Sequence, residues 1–235
     1  MSKPEKKKAP KKKKTESRKA VEPAQSGGLL VSLDGTHGPS LATEAERLAR
    51  LCAAGKDPAW SLWDASNTFH ELRMAKAKTL TPTPQTLILL YASDLLFRLR
   101  WEIEPTLQEG RNVVAAPYVA SAMAFGVAGG LPKEWLEELF SFAPKPTACF
   151  RLKEKKKGKK KDKKSGKKSE VGAIHDNAAG FVEFSAASLS KHHPGFDLAT
   201  VRAGMLKYLK DLEDHDQILK FRKKLPKPLA KTLTR

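Results

Sequence analysis

The chain has few of the residues that build covalent or metal frameworks, since only two of its 235 residues are cysteines. Cys52 and Cys149 stand far apart and alone, which excludes a disulfide framework or a cysteine metal cage, so we expect two small buried side chains and no metal site. No stretch of eighteen apolar residues occurs, and no apolar segment follows the first lysines. We therefore expect neither a membrane-spanning helix nor a secretory signal, and we expect a cytoplasmic protein.

Basic residues are abundant, but they are confined to two short segments. The formal net charge is +18 at pH 7, of which residues 1–20 carry +8 and residues 151–170 carry +9. The rest of the chain is close to neutral, which excludes a basic surface spread over the whole fold. We expect a disordered lysine-rich tail at 1–26 and one domain at 27–235, with a lysine-rich disordered insertion at 153–170.

The two lysine runs are candidates for polyanion binding. Ammonium groups that neutralise phosphates release counterions, which gives binding that is independent of base sequence and weakened by salt. Nucleic acid is the first candidate partner, although neither run has an aromatic residue for base stacking; no amphipathic face supports membrane binding. The alternative is that the runs are solvated tails that only aid solubility. The candidate residues are Lys6, Lys7, Lys8, Lys11, Lys12, Lys13, Lys14, Lys155, Lys156, Lys157, Lys159, Lys160 and Lys161.

Apolar segments of strand length alternate with amphipathic segments of helix length. The periodicity predicts strands at 28–33, 59–63, 112–119 and 147–152, and helices at 41–54, 68–78, 85–110, 119–128, 131–143 and 198–212. This alternation is typical of parallel βαβ units, so we predict an α/β fold with a parallel β-sheet flanked by helices. Ligands of such sheets bind at the carboxyl ends of the strands.

A turn with two glycines joins the first predicted strand to the first predicted helix, where a phosphate-binding loop would lie. Its sequence, at 34–43, is DGTHGPSLAT. A loop of the form G-x-x-x-x-G-K-[ST] binds phosphates with backbone N–H groups and a lysine, and holds magnesium with its hydroxyl. Here Ser40 stands for the second glycine, Leu41 for the lysine and Ala42 for the hydroxyl residue. Taken alone, the motif fails, and an ordinary strand–helix turn is the alternative.

Five segments nevertheless resemble, in the same order, the thymidylate kinase family of P-loop nucleoside monophosphate kinases. The turn at 34–43 is similar to the family's E-G-x-D-G-x-G-K-S-T. LTPTPQTLILLYASD is similar to L-S-P-x-T-E-L-L-L-Y-A-A-D, and VVAAPYVASAMAF to a strand followed by D-R-Y-x-x-S-x-x-A-Y. Residues 63–68 and 201–206 resemble R-E-P-G-G-T and V-R-x-G-Y-L. The resemblance covers about 28–210 and implies the three-layer α/β/α fold of P-loop NTPases.

The resemblance also implies two groups of nucleotide contacts. The candidate phosphate-binding residues are Asp34, Gly35, Thr36, His37, Gly38, Ser40 and Thr43. The candidate monophosphate and base pocket consists of Asp64, Phe69, Tyr91, Asp94, Tyr118, Ser121 and Phe125. The family's catalytic positions hold Leu41, Ala42, Ala116 and Pro117, so no catalytic residue is carried over.

These uncharged positions argue against catalysis. Phosphoryl transfer depends almost entirely on positioning and charge stabilisation, so the joint loss of several donors removes orders of magnitude in rate. We therefore expect a degenerate, catalytically inactive thymidylate kinase-like protein that needs no cofactor and acts by binding a partner protein or a polyanion. The alternative is a nucleotide-binding protein or an active dTMP kinase with an atypical loop, which would use ATP and Mg²⁺. Members of the family often dimerise through helices flanking the third strand, so the resemblance allows a homodimer, and the apolar helix at 85–103 is consistent with one.

Overall fold

A parallel β-sheet forms the centre of the structure, a computed structural model that describes residues 27–74, 82–153, 180–213 and 215–218. The strands are β1 (Leu30–Asp34), β2 (Ala59–Leu62), β3 (Val113–Ala116), β4 (Ala148–Leu152) and β5 (His215–Ile218). They lie in the order β2-β3-β1-β4-β5, and every neighbouring pair is parallel. β1 is therefore central, and the turn after it lies in the middle of the carboxyl edge.

Helices cover both faces of this sheet. Within the described residues they are α1 (Gly38–Cys52), α2 (Thr68–Met74), α3 (Pro84–Arg98), α4 (Glu104–Gln108), α5 (Val119–Ala128), α6 (Lys133–Leu139), α7 (Phe181–Leu189) and α8 (Leu198–Lys210), with a π-helical turn at Leu99–Ile103. The rod from α3 to α4 is continuous, because Leu99 and Glu104 keep right-handed helical dihedrals. In the part of the chain that the structure describes, no helix is long and apolar enough to cross a membrane.

The sheet separates two apolar cores. Val31 and Leu33 pack with α1, whereas Leu30 packs in the larger core with α3, α5, α7 and α8. Since successive strand residues point to opposite faces, Ser32 and Asp34 lie on the same face as Leu30. The α/β/α layering predicted from the sequence is confirmed.

The element boundaries depart from the prediction at several points. α1 begins at Gly38 instead of residue 41, because His37 Nδ1 accepts the N–H of Ser40 at 3.2 Å and caps the helix. The strand predicted at 112–119 ends at Ala116, and the helix predicted at 131–143 is limited to Lys133–Leu139. α7 and β5 were not predicted.

The lysine-rich segments lie outside the described residues. This applies to the tail at 1–26 and, apart from its first residue, to the insertion at 153–170. The candidate polyanion-binding lysines of both segments therefore stay predictions. Arg151, counted with the second basic run, belongs to β4, and its Nη1 donates a hydrogen bond to the carbonyl oxygen of Leu209.

Candidate functional site

The turn between β1 and α1 is held by contacts with the start of α5. The N–H of Gly35 donates to Ser121 Oγ at 3.0 Å. Asp34 Oδ1 accepts the N–H groups of Tyr118 and Ser121 at 2.9 and 2.8 Å. These two N–H groups lie at the start of α5, where intrahelical partners are lacking. The structure thus joins residues of both predicted groups through contacts within the protein.

The N-terminus of α1 contacts a carboxylate of the chain itself. The N–H of Gly38 donates to Glu183 Oε1 and Oε2 at 3.2 and 3.4 Å. Arg202 holds this carboxylate from α8: its Nη2 lies 2.5 Å from Glu183 Oε1, and its Nε donates to the carbonyl oxygen of Thr36 at 3.0 Å. A helix N-terminus attracts anions because its N–H groups carry positive partial charge. Glu183 therefore supplies an anion to the N-terminus of α1, in the turn for which the resemblance implies phosphate contacts.

Two glycines let α7 begin directly against α1. A Cβ atom added at Gly38 would lie 2.2 Å from the Cα of Gly180, and one added at Gly180 would lie 2.3 Å from the Cα of Gly38. Both distances are far shorter than any tolerated carbon–carbon contact, so both positions require glycine. This approach brings Phe181 and Glu183 beside the turn.

Other residues of the turn form contacts within α1 or pack in the core. The hydroxyl of Thr43 donates to the carbonyl oxygen of Pro39 at 2.9 Å, one helical turn back. Pro39 itself has no N–H for an anion. Leu41, which stands where the family has its lysine, is buried in the core between α1 and the sheet, and Ala42 is half-buried. The structure thus provides no cationic side chain at these positions.

The two aspartates of the predicted monophosphate pocket are occupied by backbone N–H groups. Asp64 accepts the N–H of Phe69 and that of His70 at 2.8 and 2.9 Å and so caps α2. Asp94 accepts the N–H of Asp64 and that of Ser66 at 3.0 and 2.9 Å. Both carboxylates therefore hold the segment before α2 in place. Among the described residues, no group of three or more histidine, cysteine, aspartate or glutamate side chains is arranged to hold a metal ion.

Arg98 lies at the carboxyl edge of β3, next to the positions where the family has Asp and Arg. Its fully buried guanidinium donates to Ser61 Oγ, to the carbonyl oxygen of Ser61 and to that of Pro117, at 2.8–2.9 Å. Burial raises the pKa of Tyr91 well above its usual range, so its hydroxyl stays protonated and donates to the same Pro117 carbonyl at 2.9 Å. The cation thus stabilises the backbone that carries Ala116 and Pro117.

Three of the four predicted base-pocket aromatics come together around Phe181. The ring centroid of Phe181 lies 4.6 Å from that of Tyr91, 4.9 Å from that of Phe125 and 5.9 Å from that of Phe69. Phe181 is 1% exposed, so the space among these residues is filled by a side chain of α7. Tyr118 lies apart from this group, and its hydroxyl donates to the carbonyl oxygen of Pro144 at 2.8 Å.

Phe181, Glu183 and Arg202 complete the site, and sequence reasoning missed all three. Glu183 and Gly38 are separated by 145 residues, a contact that no local pattern reveals. The one available signal was FVEF at 181–184, whose apolar residues surround an acidic one as in a short amphipathic helix. Arg202 stood within a recognised segment, but its partner was unknown.

Proteins of similar sequence are thymidylate kinases. The chain is 30% identical over 127 residues to a probable thymidylate kinase 2 of Saccharolobus solfataricus, a match covering 54% of this chain and 59% of that protein. It is 33% identical over 138 residues to the thymidylate kinase of Xanthomonas euvesicatoria pv. vesicatoria, covering 54% of this chain and 56% of that protein. The chain thus matches less than two thirds of the length of these relatives. No family model matches the chain.

A solved structure shares the fold. The crystal structure of thymidylate kinase from Ehrlichia chaffeensis matches with a TM-score of 0.52 and 14% sequence identity, covering 88% of this chain and 96% of that chain. The chain is thymidylate kinase-like. Because the sequence identity to that structure is so low, the likeness supports the fold of this thymidylate kinase-like chain. It does not establish an activity.

The contact of Glu183 with Arg202 in the thymidylate kinase-like chain can be tested by a double-mutant cycle with Glu183→Ala and Arg202→Ala. Both side chains are largely buried, so we expect a coupling free energy of about 1–2 kcal/mol in urea unfolding. The matched control is Lys133 with Glu137, an exposed pair on α6, which should show no measurable coupling. Equal coupling in the two cycles would contradict the assigned contact.

Proposed function

We propose that this thymidylate kinase-like protein is catalytically inactive and acts by binding other macromolecules. One observation carries the proposal: the Glu183 carboxylate accepts the Gly38 N–H and pairs with Arg202 at the start of α1. A nucleotide phosphate would have to displace this carboxylate. It would do so without a lysine, because Leu41 stands at that position and is buried.

The loss of charge elsewhere supports the same proposal. A dTMP kinase must stabilise the charge that moves between two phosphates, and each fixed donor contributes a large factor to the rate. Ala42, Ala116 and Pro117 offer no charge and no side-chain donor to this task. A base would in addition have to displace Phe181 from the aromatic group, which would expose a large apolar ring.

An exposed apolar face on α3 and the π-helical turn supports protein binding. Leu89, Leu96, Phe97 and Trp101 lie on this face, and Trp101 is 67% exposed. Their spacing of seven, eight and twelve residues places them on one side of the helical rod. Exposed apolar patches that contain tryptophan are typical of protein interfaces. We propose that a second copy of the chain covers this face.

We further propose that the two lysine runs bind nucleic acid or another polyanion independently of its sequence. We place this action in the cytoplasm and assign it no cofactor. ATP and Mg²⁺ enter only under the alternative, in which the chain binds nucleotide or is an active dTMP kinase.

The inactive state is tested by calorimetric titration with ATP–Mg²⁺ and, separately, with dTMP, at moderate salt that suppresses attraction to the lysines. We expect no heat beyond dilution, an unchanged melting temperature and no phosphoryl transfer, because Glu183 and Phe181 occupy the space. A thymidylate kinase with an intact loop serves as the positive control. The proposal would be contradicted by saturable binding at one site with micromolar affinity, or by turnover at ordinary rates.

The second-copy interface is tested by measuring the molar mass with light scattering after size-exclusion chromatography. We expect twice the chain mass of 25.9 kDa for the natural sequence and a single chain for Leu96→Glu/Trp101→Glu, since a charge would be buried at the interface. Met74→Glu places a charge at another exposed apolar residue and should leave the dimer intact. A natural chain that is monomeric at tens of micromolar would contradict the interface.

Polyanion binding is tested on heparin with residues 1–26 removed and residues 154–170 replaced by a Gly/Ser linker. The replacement starts at 154 because β4 extends to Leu152. We expect the natural chain to be retained at low salt and the shortened chain to elute, because counterion release is lost. Removal of either run alone should give intermediate retention. Unchanged retention of the shortened chain would contradict this part of the proposal.

A further inference from the structure

A cavity of about 290 Å³ lies on the opposite side of β1 from α1. Its walls come from β1, β4 and β5, from α5 and α8, and from the segment between α6 and β4. None of residues 35–43 lines it, so the cavity extends away from the turn, although Asp34 and Tyr118 of the site already described belong to its wall. Nothing in the proposed function depends on it.

Two buried acceptors of β1 line this cavity without hydrogen-bond partners. Asp34 uses Oδ1 for the start of α5, but its Oδ2 has no partner in the structure, and neither has Ser32 Oγ, two residues earlier on the same face. Nε2 of His215 lies 3.9 Å from Asp34 Oδ2, which is too long for a hydrogen bond. A fully buried carboxylate oxygen without a donor is costly, and such atoms in native proteins call for an explanation.

The remaining lining suits an apolar ring. Val119, Met123 and Phe140 provide apolar wall, and Tyr208 adds a second aromatic side chain. Tyr118 also lines the cavity, but its hydroxyl already donates to Pro144, which leaves its ring as contact surface. The volume of 290 Å³ equals that of about ten water molecules, so it suits a molecule of about ten to fifteen non-hydrogen atoms.

We propose that this cavity binds a small arylalkylamine, in which a short chain joins an amine to an aromatic ring. Its nitrogen donates to Asp34 Oδ2 and Ser32 Oγ, and its ring packs against Met123 and Phe140. The nitrogen must be a donor, because a carboxylate accepts and never donates when ionised. The charge of Asp34 disfavours an anion next to Oδ2, although Lys145 also lines the cavity. Asp34 has no exposed surface, so the proposal requires a lining side chain to move when the amine binds, and His215 lies 3.9 Å from Oδ2.

Tryptamine is the probe, and indole-3-propionate is the matched control with a carboxylate in place of the amine. Both are titrated into the full chain and followed by calorimetry and by ligand-observed NMR. We expect tryptamine to bind one site with a dissociation constant between high micromolar and millimolar, as suits about a dozen atoms. Indole-3-propionate should not bind. Equal binding of the two compounds, or none by tryptamine, would overturn the proposal.

Asp34→Asn is the decisive variant. The amide oxygen keeps the two hydrogen bonds to the start of α5, while the amide nitrogen replaces the free acceptor by a donor. We expect at least tenfold weaker tryptamine binding at a nearly unchanged melting temperature. Glu183→Gln removes a carboxylate at the other site and should leave tryptamine binding unchanged. If Asp34→Asn fails to fold, Ser32→Ala replaces it, with several-fold weaker binding expected. Full affinity in the folded variant contradicts the assignment.

Cysteine alkylation gives an independent readout. Cys149 is half-buried and lines the cavity, whereas Cys52 is buried at the end of α1 and burial raises the pKa of its thiol to about 12. Iodoacetamide at pH 8 should therefore modify Cys149 first, because Cys52 holds almost no thiolate there. Tryptamine should slow alkylation of Cys149 in the natural chain and have no effect in Asp34→Asn. Equal rates with and without tryptamine in the natural chain would count against the cavity as the binding site.

Discussion

The carboxylate of Glu183 at the N-terminus of α1 determines how the carboxyl edge of this sheet is built. It satisfies the Gly38 N–H, and Arg202 links it to the Thr36 carbonyl, so α7 and α8 are both tied to the turn after β1. The Gly38–Gly180 approach is a condition for this contact, since a side chain at either position would push α7 away. With α7 fixed there, Phe181 enters the aromatic group, so one helix supplies both the carboxylate at the turn and the ring among the aromatic side chains.

Asp34 holds the start of α5 on the other face of β1. Its backbone belongs to the start of the turn, but its side chain points to the face that carries α5, because strand residues alternate. One oxygen supports the start of α5 and the other lines the cavity with Ser32. The turn and the cavity are therefore adjacent, and both contact Asp34 and α5.

Local periodicity predicted the sheet and most helices because those elements follow from apolar spacing. The helix predicted at 119–128 coincides with α5, where a run of small buried residues continues without a break. α7 was missed because it is short and follows the lysine-rich run, and β5 because HDQI has no apolar alternation. Among the candidate site residues, the resemblance grouped Phe69 with other aromatics, and the structure brings them together. What fills the space among them depends on tertiary contacts that no spacing encodes.

A phosphate-binding loop without its phosphate leaves N–H groups at a helix N-terminus without partners, and those groups need an acceptor. In this chain the acceptor is Glu183, held by Arg202, so the turn is satisfied by the fold itself. Most of the apolar surface of α3 is likewise buried, in the core around Tyr91 and Phe181. What the fold leaves unsatisfied lies elsewhere: the apolar face around Trp101, and two acceptors beside the cavity. The fold thus satisfies the N-terminus of α1 by itself and leaves these two surfaces available for binding.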